Sequence, residues 1–426
     1  PGYTKRVTEL AAVPSTDRWS AGGGVEIVGA RSMRDRLIDR RVRDEFSSQQ
    51  RENAISQQLG VVEVAVGRAG GALDAALDDF FDAFATLADT PTSASARQEV
   101  VLQGEALGKA FADVADRLSS ARRDADMQVR SSVEQINELT RRIASLNEQL
   151  SGTSASTPEG AHLRDEVNRV VEQLAGYVAI NAVERENGGF DIDFAGGRPL
   201  VIGERSYAVR AVDDGAGLAR VEAGGVDVTA LVSSGSLGGI LAVRDTMLPD
   251  YLARLDQVAY DVVREVNALH QSGFDAAGAP GLAFFQPVAL AGAASAVAMN
   301  PALTAPGGAS LVAASGTSGV AGDTTVARNL AALRDRPITN GGSASASEAW
   351  GQLVYRVGRD RAAATASDKT QSEVLRQLQN LQDSVSSVSL DEEAADMLRF
   401  QRGYEANARF FTAVDQMLDT LIAMVR

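Results

Sequence analysis

The stretch VRSSVEQINELTRRIASLNEQL at residues 129–150 has the strongest periodic pattern in this sequence. Apolar side chains recur in it every seven residues, and two more follow members of that series by three residues. These six are Val129, Ile136, Leu139, Ile143, Leu146 and Leu150. The spacing places them on one helix face and is typical of coiled-coil-like packing. The stretch therefore predicts a long helix whose apolar stripe packs against other helices.

The helical pattern extends over most of the chain on both sides of this stretch. We predict helix from about Met33 to Leu150 with a break at Thr90-Pro91, because proline ends a helix that precedes it. A further series of apolar residues falls at sevens: Leu241, Leu248, Leu255, Val262 and Leu269. Pro249 should mark a kink or a fresh start in this second helical region. A third stripe comprises Leu375, Leu378, Leu381, Val385 and Val388.

The last helix has its own start signal and its own apolar stripe. Ser389 and Glu392 fit a capping box, in which each side chain bonds the other residue's backbone N–H. The stripe that follows falls at every seventh residue and comprises Leu390, Met397, Tyr404, Phe411, Leu418 and Val425. A lone helix of this kind is marginal in water. We therefore predict that these six residues form an assembly interface, covered by a neighbouring subunit or by the chain's own bundle.

A different pattern occupies the middle of the chain. Phe190, Ile192 and Phe194 alternate with Asp191 and Asp193, which is the period of a half-buried strand. Glycine-containing turn signals stand on both sides of this run, at residues 187–188 and 196–197. Several short strands at this spacing predict a small antiparallel β domain.

These patterns together predict an α+β fold that is mainly α. We expect a long-helix, coiled-coil-like bundle built from the N- and C-terminal segments, with the small antiparallel β domain inserted and projecting as a separate lobe. The predicted division is 1–32 extended segment, 33–175 first bundle part, 176–234 β domain, 235–272 second bundle part, 273–347 Gly/Ala-rich loops and short strands, 348–388 third bundle part, and 389–426 assembly helix.

The composition excludes several classes of function. Lys and Arg number 41 against 56 Asp and Glu, a formal net charge of −15, which opposes binding to nucleic acid or to an anionic membrane. The chain has no cysteine, so disulfides, thiolate chemistry and most zinc sites are excluded. No apolar run approaches the roughly 20 residues of a transmembrane helix.

Candidate catalytic and metal-binding residues are few. His162 and His270 are the two histidines, and neither has a second ligand at metal spacing. Asp191 and Asp193 share one strand face, as the carboxylates of a glycosidase or cation site would, but the polar face of a half-buried strand explains them equally well. Gly22-Gly23-Gly24 lacks the Lys-Ser/Thr ending of a phosphate loop and is interpreted as a hinge. We therefore predict that the chain is not an enzyme and binds no cofactor or metal.

Two clusters of charge are interpreted as solvated helix faces. Asp78, Asp79 and Asp82 interleave with apolar residues, as on the wet side of an amphipathic helix. The basic concentration at Arg31, Arg34, Arg36, Arg40, Arg41 and Arg43 is punctuated by aspartates at i,i+4 spacing. A salt-bridged helix face is the favoured interpretation, and polar contact with a neighbouring subunit is the alternative.

Several motifs resemble those of flagellar axial proteins. SLDEE at 389–393 and FQRGYEANA at 400–408 look like the terminal helix that rod, hook and hook-associated proteins share. The opening PGYT is similar to the segment after the first helix in this group, which implies that a helix of a few dozen residues precedes it. More specific are Phe80-Phe81 to Ala88, Pro91 and ARQEV at 96–100. These, with LDQ at 255–257, Val266-Asn267, His270, Gly273 and Phe284-Phe285, resemble the FlgK-type hook-associated protein of the hook–filament junction.

The resemblance implies a structural rather than a chemical role. It implies a subunit that joins hook to filament, assembles with copies of itself through its terminal helices, and is exported extracellularly by the flagellar type III system. Implied partners are the hook protein, the second hook–filament junction protein and a flagellar export chaperone. Another axial protein, such as hook protein or flagellin, is the nearest alternative. A chemoreceptor-type helical protein and a cell-wall hydrolase are more distant ones.

Overall fold

Most residues in the computed structural model lie in long helices. The structure describes residues 6–12, 25–32, 36–67, 71–154, 157–320, 322–386 and 390–425. Its helices are α1 Arg36–Val66, α2 Ala72–Asp89, α3 Ala94–Gly152, α4 Pro158–Tyr177, α5 Gly235–Ala242, α6 Leu248–Gln271, α7 Ala293–Ala296, α8 Pro301–Thr304, α9 Thr325–Ala331, α10 Ala346–Ser386 and α11 Leu390–Val425. The predicted Gly22–Gly24 hinge and the capping residue Ser389 lie outside the described residues.

The strands form three small antiparallel sheets. Strands β1 Arg6–Ala12 and β2 Val25–Ser32 make a hairpin ahead of α1. A four-stranded sheet has the order β3-β4-β5-β6, with bounds Ile180–Glu184, Phe190–Phe194, Arg198–Ile202 and Arg205–Ser206. A three-stranded sheet has the order β7-β8-β9, with bounds Val209–Asp213, Ala219–Ala223 and Val226–Asp227. The mainly helical fold with an inserted antiparallel β part is therefore confirmed.

The helix breaks follow their local sequence signals. Helix α2 ends at Asp89, and the Ser93 side chain caps α3 by accepting from the Ala96 N–H at 3.2 Å, so the predicted break at Pro91 is confirmed. Before α6, residues 243–247 form a π turn. Pro249 has no N–H for the carbonyl four residues back, so the wider turn avoids its ring. The backbone stays helical from α5 through this turn into α6, so the chain makes no fresh start at Pro249, and the proline is instead accommodated by the π turn.

The helices do not share a single core. A helical core joins the second half of α1, α2, the first part of α3, α6 and the start of α10. A mixed core joins the rest of α3, α4, α5 and the inner faces of the strands. The boundary falls between Ala54 and Ile55 on α1 and between Ala121 and Ala125 on α3. One bundle was expected, but seven-residue spacing does not reveal which neighbours a stripe meets.

The β part is not a separate lobe, which corrects the sequence-based expectation. Phe190, Ile192 and Phe194 point into the mixed core and are buried there together with Val129 and Ile136 of α3. A sheet of three or four short strands has one apolar face, which another layer of structure must cover. The long helix α3 and helix α4 supply that cover.

The Gly/Ala-rich segment at 273–347 was expected to hold loops and short strands. In the described part of this segment the structure has isolated β-bridges, the short helices α7, α8 and α9, and 3-10 turns, but no strand. The expectation of strands was wrong because the segment packs on α3 and α6. Its backbone bonds partly to side chains of α6 and partly to itself in turns and isolated bridges, which do not extend into a ladder.

The N- and C-terminal helices contact each other, as predicted. Helices α1 and α10 run antiparallel, with Ser56 Oγ 2.8 Å from Thr365 Oγ1. Gln49 Nε2 donates to Asp368 Oδ1 at 2.6 Å. Arg361 bonds the Glu63 carboxylate. The body of the molecule thus ends in a pair of helices, from which α11 continues.

Candidate assembly interface

The predicted interface residues lie along α11, a helix of 36 residues. Four of the six predicted side chains are largely exposed: Met397 at 70%, Tyr404 at 77%, Phe411 at 72% and Leu418 at 51%. Leu390 and Val425 lie within α11 but outside the residues whose side chains the structure describes. The heptad spacing places the described four along one side of a helix about 54 Å long at ~1.5 Å per residue.

The apolar surface of α11 is wider than the predicted stripe. Further exposed apolar side chains are Leu398, Phe400, Phe410, Met417, Leu421, Ile422 and Met424. Phe410, Met417 and Leu421 lie on a second face, roughly 100° around the helix from the stripe. Phe410, Met417 and Met424 also recur every seven residues, so the sequence contained a signal for this face, but only one of the two series was followed. Large exposed apolar surfaces mark interaction sites in soluble proteins.

The two histidines take different places in the fold. His270 is buried, its Nδ1 lies 2.6 Å from the Leu282 carbonyl oxygen, and its Nε2 accepts from the Ala313 N–H at 2.9 Å. Accepting that N–H requires a neutral ring, and burial lowers the pKa of His270 to about 4. His162 is exposed on α4. The structure does not bring the two histidines together.

The paired aspartates of β4 bond neighbouring backbone and side chains. Asp191 Oδ1 accepts from the Gly203 N–H at 2.7 Å, and Asp193 Oδ2 accepts from Asn181 Nδ2 at 3.0 Å. These bonds tie β4 to the residue after β5 and to β3. Within the described residues, no group of three or more His, Asp or Glu side chains has a geometry that would hold a metal ion.

The charged clusters make tertiary contacts rather than lying free on helix faces. Arg334 pairs with Asp78 at 3.1 Å and with Asp82 at 2.7 Å, which joins the end of α9 to α2. Near the start of α1, Arg40 Nη2 donates to Asn181 Oδ1 at 2.6 Å, and Arg36 pairs with Glu184 at 3.2 Å. These two arginines therefore fasten the edge strand β3 to α1.

Residues that carried the family resemblance hold the irregular segment at 282–313 on the helical core. Asn267 Oδ1 accepts from the Phe284 and Phe285 N–H groups, and its Nδ2 donates to the Phe285 carbonyl. Asp256 accepts from the Gly292 and Ala294 N–H groups. Buried backbone without a partner strand needs such side-chain bonds. The motif is thus explained by packing, not by ligand binding.

Arg97 and His270 also bond the backbone of the irregular segment and hold it on the helical core. The Arg97 guanidinium donates to the carbonyls of Val312 and Pro91, which links the segment to the α2–α3 turn. Arg97 itself is buried. Sequence reasoning identified these residue types but not their roles, because each partner lies far along the chain.

In the mixed core, Asn147 of α3 holds strand β4 by bonding its backbone. It bonds both the N–H and the carbonyl of Phe190, at 3.0 and 2.8 Å, as a neighbouring strand would. Asn137 clamps Val209 in the same way. An asparagine beside an apolar heptad position in a coiled-coil stretch was the available sequence signal for both.

An ion pair ties α3 to the π turn and to β8. Arg244 Nη1 donates to Asp126 Oδ1 at 2.6 Å and to the Ala219 carbonyl at 2.8 Å. Asp126 Oδ1 also accepts from the Ala219 N–H. Both charged side chains are buried, and hydrogen bonds from Ala219 and Arg130 with the charge of Arg244 lower the pKa of Asp126 despite its desolvation.

No described helix combines the length and the apolar character needed to cross a bilayer.

Comparison with known proteins relates both parts of the chain to flagellar components. The model of the flagellar hook-associated protein FlgK helical domain matches residues 59–285. The model of the flagellar basal body rod FlgEFG protein C-terminal region matches residues 383–424, which include nearly all of α11. Flagellar hook-associated protein 1 of Escherichia coli strain K12 is 28% identical, with 99% of this chain and 94% of that protein covered.

A more distant relative and a solved structure agree with these matches. Flagellar hook-associated protein 1 of Bacillus subtilis strain 168 is 24% identical, with 99% of this chain and 92% of that protein covered. The structure of the flagellar hook junction protein FlgK from Burkholderia pseudomallei has a TM-score of 0.72 at 16% identity, covering 82% of this chain and 100% of that one. At that identity the likeness shows a shared fold.

Proposed function

This chain belongs to the FlgK family of flagellar hook-associated proteins, and we infer that it is a structural subunit of the bacterial flagellum at the junction between hook and filament. The match over residues 59–285 is to a domain named for FlgK, and it favours this family over hook protein and flagellin. The C-terminal match does not make that distinction, because it is to a segment named for other flagellar proteins. Its work is mechanical: the helical and mixed cores form a stiff body, and α11 joins that body to the axial structure.

The observation that carries this proposal is the exposed apolar surface of α11. Full burial of a large apolar side chain contributes about 1.5–3 kcal/mol. The four described stripe residues would therefore contribute roughly 6–12 kcal/mol on burial, which is comparable with the ~4–15 kcal/mol of rigid-body freedom lost on association. The second apolar face of α11 is needed to make assembly favourable. We accordingly assign Leu390, Met397, Tyr404, Phe411, Leu418 and Val425 to a contact with helices of neighbouring subunits.

The remaining partners follow from this position in the flagellum. The subunit would contact further copies of itself, the hook protein on one side and the second hook–filament junction protein on the other. It would reach the outside of the cell unfolded through the flagellar type III export channel. A flagellar export chaperone would cover the apolar surface of α11 before assembly, because such a surface otherwise aggregates.

A pair of substitutions on exposed aromatic residues tests the assembly role. Phe411→Asp places a charge in the proposed interface, and Tyr355→Asp makes the equivalent change on α10, where Tyr355 is also 72% exposed. We expect both proteins to keep the thermal unfolding temperature of the parent. In cells that lack the natural protein, Tyr355→Asp should restore attached filaments. Phe411→Asp should leave hooks without filaments and filament protein in the medium.

Two results would contradict the proposal. If Phe411→Asp lowered the unfolding temperature of the body, α11 would belong to the core and not to an interface. If cells with Phe411→Asp still built attached filaments, the apolar stripe would not be needed for assembly. Met397→Asp should repeat the result of Phe411→Asp from the other half of the helix.

A further inference from the structure

The two halves of α10 are held to the body in different ways. In the first half, Trp350, Leu353, Val357 and Ala364 are buried in the helical core. From Thr365 to Ser384 no described residue is fully buried. The apolar contacts of residues 365–386, here called the strap, come from side chains such as Leu375 and Leu378, which are only half-buried.

The seam between the strap and α1 includes several polar contacts. Thr365 meets Ser56, Asp368 accepts from Gln49, and near the far end Gln382 Nε2 donates to Asp39 Oδ1 at 2.6 Å. Exposed and part-buried polar pairs of this kind stabilise little, because water competes for each group. The buried Oε1 atom of Gln371 accepts no hydrogen bond within the described part of the chain, which weakens the seam further.

Helix α1, in contrast, is held to the mixed core on its other side. Ser47 is buried, and its Oγ lies 3.2 Å from Ser234 Oγ. The backbone of α4 at Gly176 lies against the Phe46 ring. Arg40 bonds Asn181 of β3. At Gly239 the backbone of α5 approaches so closely that an added Cβ would meet the Arg51 carbonyl oxygen. Helix α1 therefore keeps its position whether or not the strap lies on it.

We propose that the strap is a separately opening unit, which detaches from α1 while α1 and the first half of α10 stay folded. A helix of about 20 residues is marginal on its own, and segments with few buried apolar contacts open at far lower cost than the global unfolding. The strap precedes α11 in the sequence, with three residues between the two helices. Its opening changes the direction in which α11 leaves the body, a consequence for assembly that rests on the proposed function, whereas the opening itself does not.

Hydrogen exchange of the intact chain, read by mass spectrometry at a concentration where it is monomeric, tests the proposal. Amides of residues 365–384 should exchange at least about tenfold faster than those of residues 346–364. Amides of α1 at residues 36–50 should stay as slow as the rest of α1. Exchange of the strap as slow as that of residues 346–364 would overturn the proposal. So would joint exchange of the strap and residues 36–50, because the helix pair would then open as one.

A cross-link supplies a matched control, since the chain has no cysteine of its own. In Asp39→Cys/Gln382→Cys, a short bismaleimide bridge across the strap end should slow exchange of residues 365–384 by at least about tenfold relative to the unbridged variant. The same bridge in Glu63→Cys/Arg361→Cys lies in the first half of α10 and should leave strap exchange unchanged. Equal slowing by both bridges would show a general stabilisation and would also overturn the proposal. These measurements use monomer, so their failure is distinct from a failure of the assembly role.

Discussion

Replacing the half-buried Asn267 by leucine tests whether polar side chains hold the irregular segment on the helical core. Asn267→Leu keeps the size of the side chain but removes one acceptor and one donor. The acceptor serves the Phe284 and Phe285 N–H groups at 2.9 and 2.8 Å, and the donor serves the Phe285 carbonyl at 3.0 Å. Both phenylalanines are fully buried, so water cannot replace the lost bonds without disturbing the aromatic cluster with Phe80 and Phe84.

The expected loss of stability is large. Each buried polar group left unpaired costs about 1–3 kcal/mol, so three groups give a loss of at least about 3 kcal/mol. A domain's whole free energy of unfolding is about 5–15 kcal/mol. Urea unfolding followed by the fluorescence of Trp350, which is buried in the same core, measures the loss directly. A Trp19→Phe background makes Trp350 the single reporter, because the chain has two tryptophans.

A matched substitution separates the lost bonds from the change of residue type. Asn380→Leu makes the same change at an exposed position of α10 and should alter the free energy of unfolding by less than about 0.5 kcal/mol. If Asn267→Leu lost less than about 1 kcal/mol, the clamp would not be what holds the segment. The packing explanation of the motif at residues 266–285 would then be wrong.

Three further substitutions test other parts of the body. The folded state holds the pKa of His270 near 4, below the ~6.5 of an unfolded histidine, so the unfolded state binds more protons between these pH values. The free energy of unfolding should therefore fall by up to about 3 kcal/mol as the pH drops from about 6.5 through 4. His270→Gln should remove that slope in urea midpoints and His162→Gln should not. Gly239→Ala should lower the free energy of unfolding by about 1–3 kcal/mol, because the added methyl group clashes with α1. Gly351→Ala has open space around it and should raise the free energy of unfolding by up to about 1 kcal/mol, as measured by thermal melts. Arg244→Met removes one of the two arginines that pair with Asp126 and leaves Arg130 in place. It should lower the free energy of unfolding by about 1–3 kcal/mol in chemical unfolding, and a loss below about 0.5 kcal/mol would refute the role of the ion pair.

Local signals predicted the elements of this protein well. The break at Pro91 and the helix that begins at Leu390 both follow from residues within a few positions of the event. Helix caps, proline geometry and apolar periodicity act over one or two turns, so a single sequence contains them in full. The family resemblance added the place of the chain in the flagellum.

Another cap was readable but was missed. Ser345 and Glu348 bond each other's backbone N–H groups at the start of α10, which is a complete capping box. Residues 340–347 are rich in glycine and serine, a composition typical of a linker, and no helix start was predicted there. Here the sequence contained the answer, and the composition of the neighbouring residues concealed it.

The sequence alone determined where the long helices and the strands of residues 180–227 form, and that α11 has more apolar surface than a lone helix should expose. Only the tertiary structure decided that two cores replace one bundle and that the β part shares a core with α3. It also decided that Asn147 lies on Phe190, 43 residues away. The physical reason is that periodicity depends on residues within one or two turns and indicates which side chains are buried. Which residue a buried side chain contacts depends on how segments far apart in the sequence pack together.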